Sequence, residues 1–527
     1  MRATPLAVVA VIGALVGGSL PAQAQEARAT PVPNTYLAQR IDWQPCFDPA
    51  NPPEGLPPGG ERLECGSFQS PQDWRRAAQG KSITIAVSRL RPVSGKATGS
   101  VLTNPGGPGG PGRTFPLAFL NQPRLLASQE IIGIDVRGTG ESTNVTCGNY
   151  DWIGLVDPRD RSKQNVKVLA DTAEQQARTC QASSGEFGKV VNTEQTVRDL
   201  DLLRHLLGRE KINWVGYSGG TWMGAYYATY FPRRVGKFVL DSNTEFTSTF
   251  QKVFESFPMG FERRFRTDFL PWVAKYDSLY HLGTTGEAVR LNYEDIRAKL
   301  AANPLPLPDG SQLTAPRFDL FLFQAQYSKY SFQPAAEQFS ALRKIVVDQQ
   351  GAPTALGRYP DASNGTFHAV VCNDTPFHGD RDFVIRESGR LGKLYPLIGP
   401  YVIAAPCAFW DRPALQLKAP TGRGVPPILM VQSVRDPATP LEGAQRSHRK
   451  FAGSRMLTVA DEGDHGIYAF GNPCVDQVVE AFIVDGVVPP RDSTCAGVPL
   501  PVPTAGLSAQ STQTVGNPLQ KYADLLK

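Results

Sequence analysis

The 527 residues contain no Cys-x-x-Cys spacing, no isolated block of basic side chains and no internal repeat. The first absence removes the short-spaced metal and redox motifs. The second argues against a nucleic-acid partner, because a formal charge of +5 is spread over 54 basic and 49 acidic residues. The third removes solenoids and coiled coils. No apolar run reaches the roughly 20 residues of a membrane span; the run from Leu6 to Leu20 falls short. Histidine is scarce, so any histidine base must be one of six residues.

What is present is ordinary globular material, 41% hydrophobic and 20% charged, enough for a large core or for a core plus an insertion. Abundant glycine (50) and proline (45), without a collagen period, indicate many turns and long loops. Met1-Arg2, the apolar run and the small-residue site Ala22-Gln23-Ala24 read as a secretory signal peptide over 1–24. The protein is therefore expected in a periplasm or outside the cell, without a lipid anchor, since no cysteine follows Ala24. Eight cysteines suit that oxidising setting. They allow about 105 connectivities, and the expectation is that neighbours along the chain pair: Cys46 with Cys65, Cys147 with Cys180, Cys372 with Cys407, Cys474 with Cys495.

Ser82 to Val87 alternates as a half-buried strand does. Short apolar runs then follow at 100–103, 131–135, 212–216, 237–240, 428–431 and 456–459, each suited to a strand buried on both faces. A helix is predicted over Glu194 to Leu207, with Val197, Leu200, Leu203 and Leu207 on one face and Gly208 as its stop. Alternating strands and helices predict a doubly wound, mostly parallel α/β sheet. The alternation breaks after Asp241 and resumes at Ile428. The expected organisation is a core over 25–242, a mainly helical cap over 243–419, the rest of the core over 420–500, and a polar tail over 501–527 with a short helical end.

Gly216-Tyr217-Ser218-Gly219-Gly220 places a serine between the run 212–216 and a helix towards Tyr230. This is the strand-turn-helix setting of the α/β-hydrolase nucleophile, where flanking side chains do not fit. A serine needs a neutral imidazole to take its proton. In this fold the acid and then the base follow the nucleophile along the chain. His465, in Gly463-Asp464-His465-Gly466 after the last run, is the candidate base, and Asp436, after the preceding run, the candidate acid. His378, in the expected cap, is kept as a pocket candidate. Oxyanion donors are expected from Gly219 and from the loop Asn104 to Gly112, at Gly106 and Gly107. That loop lacks the following Lys-Ser or Lys-Thr of a phosphate cradle. No cofactor or metal is expected.

These motifs, with Asp135 to Ser142, Val371-Cys372-Asn373-Asp374 and Cys407-Ala408-Phe409-Trp410, resemble the prolyl- and tripeptidyl-aminopeptidase family of secreted bacterial α/β-hydrolases with a TAP-like C-terminal segment. The resemblance runs from about Ile41 to Cys495. It implies release of short peptides from free N-termini, with a cap limiting substrate length. Pro105-Gly106-Gly107-Pro108-Gly109 departs from the His-Gly-Gly-Pro-Gly of the smaller prolyl enzymes and favours the tripeptidyl branch. A substrate ammonium needs a carboxylate; Asp374 and Glu245, with Asn373, are the substrate-binding candidates. The expected partner is a peptide or small acyl substrate. The alternative reading is an esterase or amidase of the same fold; a non-catalytic scaffold is disfavoured by the complete serine, aspartate and histidine set.

Overall fold

The computed structural model describes residues 32–148, 156–308, 310–347, 361–504, 517–523 and 525–526; the signal peptide expected over 1–24 lies outside them. A ten-stranded sheet organises the chain. Its strands are β1 (Gln44–Pro45), β2 (Leu63–Pro71), β3 (Ser82–Leu90), β4 (Gly99–Asn104), β5 (Gln129–Ile134), β6 (Ile212–Ser218), β7 (Val235–Asn243), β8 (Leu429–Ser433), β9 (Arg455–Ala460) and β10 (Ser493–Ala496). The spatial order is β1-β2-β3-β5-β4-β6-β7-β8-β9-β10. The first three pairings are antiparallel, and every pairing from β5 onwards is parallel.

Period-two side-chain alternation divides the strands between two apolar layers. Leu102, Ile132, Trp214, Phe238, Leu240 and Met430 join one cluster, beneath helices Thr193–Leu206 (α1) and Gly219–Tyr230 (α2). Val101, Ile131, Val215, Val239, Leu429 and Val431 join the other, beneath helices Pro123–Ser128 and Pro473–Ile483. All these side chains are buried, each contributing about 1.5–3 kcal/mol of hydrophobic stabilisation. The strands therefore read as unbroken apolar runs in the sequence. Asn192 caps α1 by accepting from Gln195 N, and Gly208 ends the turn after it at φ 66°.

Between β7 and β8 the chain leaves the sheet and forms a series of helices. Phe257–Arg264 (α3) runs into a π-helical turn over Phe265–Phe269. Aromatic and aliphatic residues of this interval, among them Phe265, Trp272, Tyr293, Phe318, Phe332 and Phe339, make a core of their own. Helix Asp361–Asp374 (α4) differs: its Ala369, Val370 and Val371 pack into the sheet's own cluster.

The four disulfides pair neighbours along the chain, Cys46–Cys65, Cys147–Cys180, Cys372–Cys407 and Cys474–Cys495. The C-terminal segment is not simply a polar tail: Leu519 is buried, and Tyr522, Leu525 and Leu526 pack with it against the second sheet cluster. No helix among the described residues is long and apolar enough to cross a membrane.

Candidate active site

Ser218 ends β6 at φ 54° and ψ −122°, a backbone conformation a non-glycine residue rarely holds, and Gly219 opens α2 immediately after it. The flanking glycines are sterically required. A Cβ on Gly216 would lie 2.3 Å from Trp214 Nε1 and 2.5 Å from Gly220 O, and one on Gly220 would lie 2.7 Å from Asn104 O. The strand-to-helix turn thus presents Ser218, which remains partly exposed, at the C-terminal edge of the parallel sheet.

The loop after β4 lies against this turn. A Cβ on Gly106 would meet Tyr217 O at 2.4 Å and Gly219 N at 2.7 Å. Gly106 N–H, however, donates to Asn104 Oδ1 at 2.9 Å. That corrects the expectation that Gly106 supplies an oxyanion donor: its hydrogen is already taken. Gly107 N remains, close to Gly219, where a Cβ would lie 3.2 Å from it. Asp135 fixes the far end of the loop by accepting from Gly112 N (2.8 Å) and Arg113 N (2.9 Å), and burial pushes its carboxyl pKa up.

Asp436 and His465 stand after β8 and β9, and both are wholly buried. His465 Nδ1 is 2.9 and 3.0 Å from the two Asp436 oxygens. Asp436 Oδ1 is aimed by its own turn, accepting from Ala438 N (3.0 Å) and Thr439 N (2.8 Å). Thr439 Oγ1 lies 3.4 Å from His465 Nδ1. With Nδ1 facing the carboxylate, Nε2 meets no hydrogen-bond partner among the described residues. A neutral imidazole held this way carries its proton on Nδ1 and offers a lone pair at Nε2.

The histidine loop is clamped on several sides. His465 N–H donates to Tyr327 O at 2.9 Å, and the Tyr327 ring stands edge-on to the imidazole with centroids 5.4 Å apart. Gly466 N–H donates to Ser242 Oγ (2.7 Å), and the N–H groups of Ile467 and Tyr468 donate to Asp241 (3.1 and 2.8 Å). Burial pushes the Asp241 carboxyl up to about 7. Ser242 follows Asp241 on β7, where Asn243 is the register partner of Ser218. The Ser218 turn and the histidine loop therefore meet across one strand end. Sequence reading missed Asp241, Ser242 and Tyr327. Position at a strand's C-terminal end could have flagged the first two; no sequence signal marks Tyr327.

The substrate-binding candidates are placed in structural roles. Asp374 accepts from Thr193 N and Thr193 Oγ1 (2.8 and 2.5 Å), fastening α4 to the first turn of α1. Asn373 donates to Gly188 O and Val191 O and accepts from Trp410 Nε1. Glu245 is engaged by both Arg446 Nε and Nη2 (2.9 and 2.7 Å). These contacts correct the expectation of free partners for a substrate ammonium, because each polar group already has a protein partner. His378 is exposed, its backbone N–H bonded to Gln251 Oε1, and it does not line the cavity beside Gly106 and Gly219. No cluster of metal-ligating side chains occurs among the described residues.

A strained serine on a strand-to-helix turn, glycine N–H groups beside it and a carboxylate-bound imidazole can together carry out acyl transfer. Fold and site define an α/β-hydrolase, and the enzyme is a serine hydrolase. Residues 395–495 match the family described as TAP-like protein. The chain is 32% identical to "Tripeptidyl aminopeptidase" of Streptomyces lividans over 91% of each chain. It is 28% identical to "Serine protease Hip1" of Mycobacterium tuberculosis, covering 87% of this chain and 91% of that protein. Against "Carboxylesterase B" of the same organism the identity is 26%, covering 82% and 86%. The chain belongs to the tripeptidyl aminopeptidase family of serine peptidases.

Proposed function

We propose that this protein is a secreted exopeptidase that releases tripeptides, or similarly short peptides, from free N-termini through an acyl-enzyme on Ser218. The observation that carries this reading is the His465–Asp436 pair, with Nε2 unpartnered among the described residues, on a loop joined to the Ser218 turn through Ser242 and Asn243. His465 Nε2 takes the Ser218 proton as Oγ attacks the scissile carbonyl carbon. The N–H groups of Gly219 and Gly107 receive the developing oxyanion. The imidazolium then gives its proton to the leaving amine as the C–N bond breaks; water, deprotonated by the same imidazole, attacks the ester, and the imidazolium returns that proton to Ser218 Oγ as the ester C–O bond breaks. Asp436 keeps the imidazole in the required tautomer and does not take the proton.

The helical interval assigned as a cap over 243–419 would close over the amine end and limit substrate length. The relative named tripeptidyl aminopeptidase supports the exopeptidase reading; the one named carboxylesterase supports a second, hydrolysis of small esters by the same residues. A tripeptide anilide with a free amine, compared with its N-acetylated twin on wild type and Ser218→Ala, separates the two. Turnover of only the free form, lost in the variant, is expected. Equal turnover of both forms favours the esterase or amidase reading, and activity surviving in Ser218→Ala removes Ser218 as nucleophile.

A further inference from the structure

The residue before the acid and the residue before the base are both held by one turn of the inserted interval. Arg264, at the end of α3, reaches Asp464 with Nη2 at 2.5 Å and Asp268 with Nη1 at 2.6 Å. Asp268, one turn on, accepts from Arg435 Nε at 3.1 Å. Asp464 precedes His465, and Arg435 precedes Asp436. Lys329, also from the insertion, donates its backbone N–H to Asp464 (2.7 Å) and its ammonium to Glu462 (2.6 Å). Glu462 in turn accepts from Gly463 N and Asp464 N.

Three cations, Arg264, Lys329 and Arg435, thus face three carboxylates, Asp268, Glu462 and Asp464. All but Arg435 are nearly inaccessible to solvent. A buried charge without its partner is strongly unfavourable, so the members fix one another's positions. Asp268 lies within the π-helical turn Phe265–Phe269 that directly follows Arg264; such turns recur at functional sites. Gly463 shows how close the fit is: a Cβ there would lie 1.5 Å from Arg264 Nη1.

We propose that Arg264 and Asp268 are positioning residues that set the Asp436–His465 geometry, so that this part of the insertion belongs to the catalytic frame. The proposal rests on Asp436 and His465 being acid and base. The Arg264–Asp268 turn fixes the two loops relative to each other, and the Asp436–His465 hydrogen bond inherits that spacing. A misplacement of about 1 Å at such a site can cost about 10²-fold in rate.

The test uses the full chain with Arg264→Lys, Asp268→Asn and Arg435→Gln, read by kcat and KM on a tripeptide anilide. The downfield proton NMR signal of the imidazole Nδ1–H bonded to Asp436 gives a second readout. Asp319→Asn is the comparison, because Asp319 is equally buried in an ion cluster of the insertion with Arg297 and Tyr293, away from both loops. Positioning predicts a 10- to 100-fold fall in kcat with KM within about twofold, and a shifted or lost Nδ1–H signal. Asp319→Asn should lower the melting temperature while leaving that signal in place. Arg435→Gln changes the one cation of the cluster that reaches solvent and serves where a buried charge variant fails to fold. Folded variants with unchanged kcat and an unmoved signal would overturn the proposal, as would a signal lost equally in Asp319→Asn. Full activity in His465→Ala would instead overturn the assignment beneath it.

Discussion

Asp374 shows at the scale of one residue why an acid in a motif is not yet a binding group. Its identity is visible in the sequence; its partners, Thr193 N and Oγ1, are not, because they lie 181 positions away. Burial pushes its pKa from 3.8 up to about 7, the hydrogen bonds opposing that rise. The folded state therefore binds the proton more tightly than the unfolded chain does. The stability from this group is full below about pH 4 and is lost as pH rises towards 7. Asp374→Asn mimics the protonated form, so wild type should lose melting temperature relative to the variant between pH 4.5 and 7.5. Thermal unfolding across that range checks the sign. That Ser218, Asp436 and His465 stand after strands was legible, because the fold delivers them at strand ends in a known chain order. Gly106 and Gly107 could not be told apart in the sequence, since which N–H is free depends on the Asn104 side chain.

Among the elements, the strands were legible because a sheet covered on both faces demands unbroken apolar runs, and α1 because its apolar face and its Gly208 stop are marked. The π-helical turn at Phe265–Phe269 was not: nothing in Phe-Arg-Thr-Asp-Phe separates it from an ordinary helical turn. Helix α4 also escaped. It lies inside the interval read as a cap, yet its Ala369, Val370 and Val371 belong to the sheet's core and its first turn backs the loop after β4, with Ser363 O 2.6 Å from where a Gly109 Cβ would be. The Cys372–Cys407 disulfide ties the last turn of this helix to a residue 35 positions further on. Chain entropy assigns such a closure about 4 kcal/mol. Replacing both cysteines by serine should lower the melting temperature and reduce kcat several-fold through the loosened loop, as calorimetry and steady-state kinetics would show. An unchanged melting temperature would refute the expected contribution.

For the whole molecule, the split of the sheet by a long helical interval was legible from where the apolar runs stop and resume. The return of the C-terminus was not, because its apolar residues are few and widely spaced. Leu519 nevertheless packs against the histidine loop from the sheet side, 3.0 Å from where a Cβ on Gly466 would stand. Burying one leucine contributes about 1.5–3 kcal/mol. Ending the chain at Thr504 should therefore lower the melting temperature and, by freeing the histidine loop, reduce kcat by up to about tenfold, which corresponds to about 1.4 kcal/mol of barrier. Wild-type kinetics in the truncated protein would show that the segment is dispensable.

The division of the sheet also sets an order of birth. On a growing chain the nucleophile turn and the loop beside it emerge long before Leu429–Ser433 and Arg455–Ala460. Until then β7 shows an open edge, and Ser218 stands without Asp436 and His465. With the roles proposed for Asp436 and His465, a prematurely released fragment ending before His465 would be chemically silent, so biosynthesis itself delays the appearance of hydrolytic activity until nearly the whole polypeptide has been made.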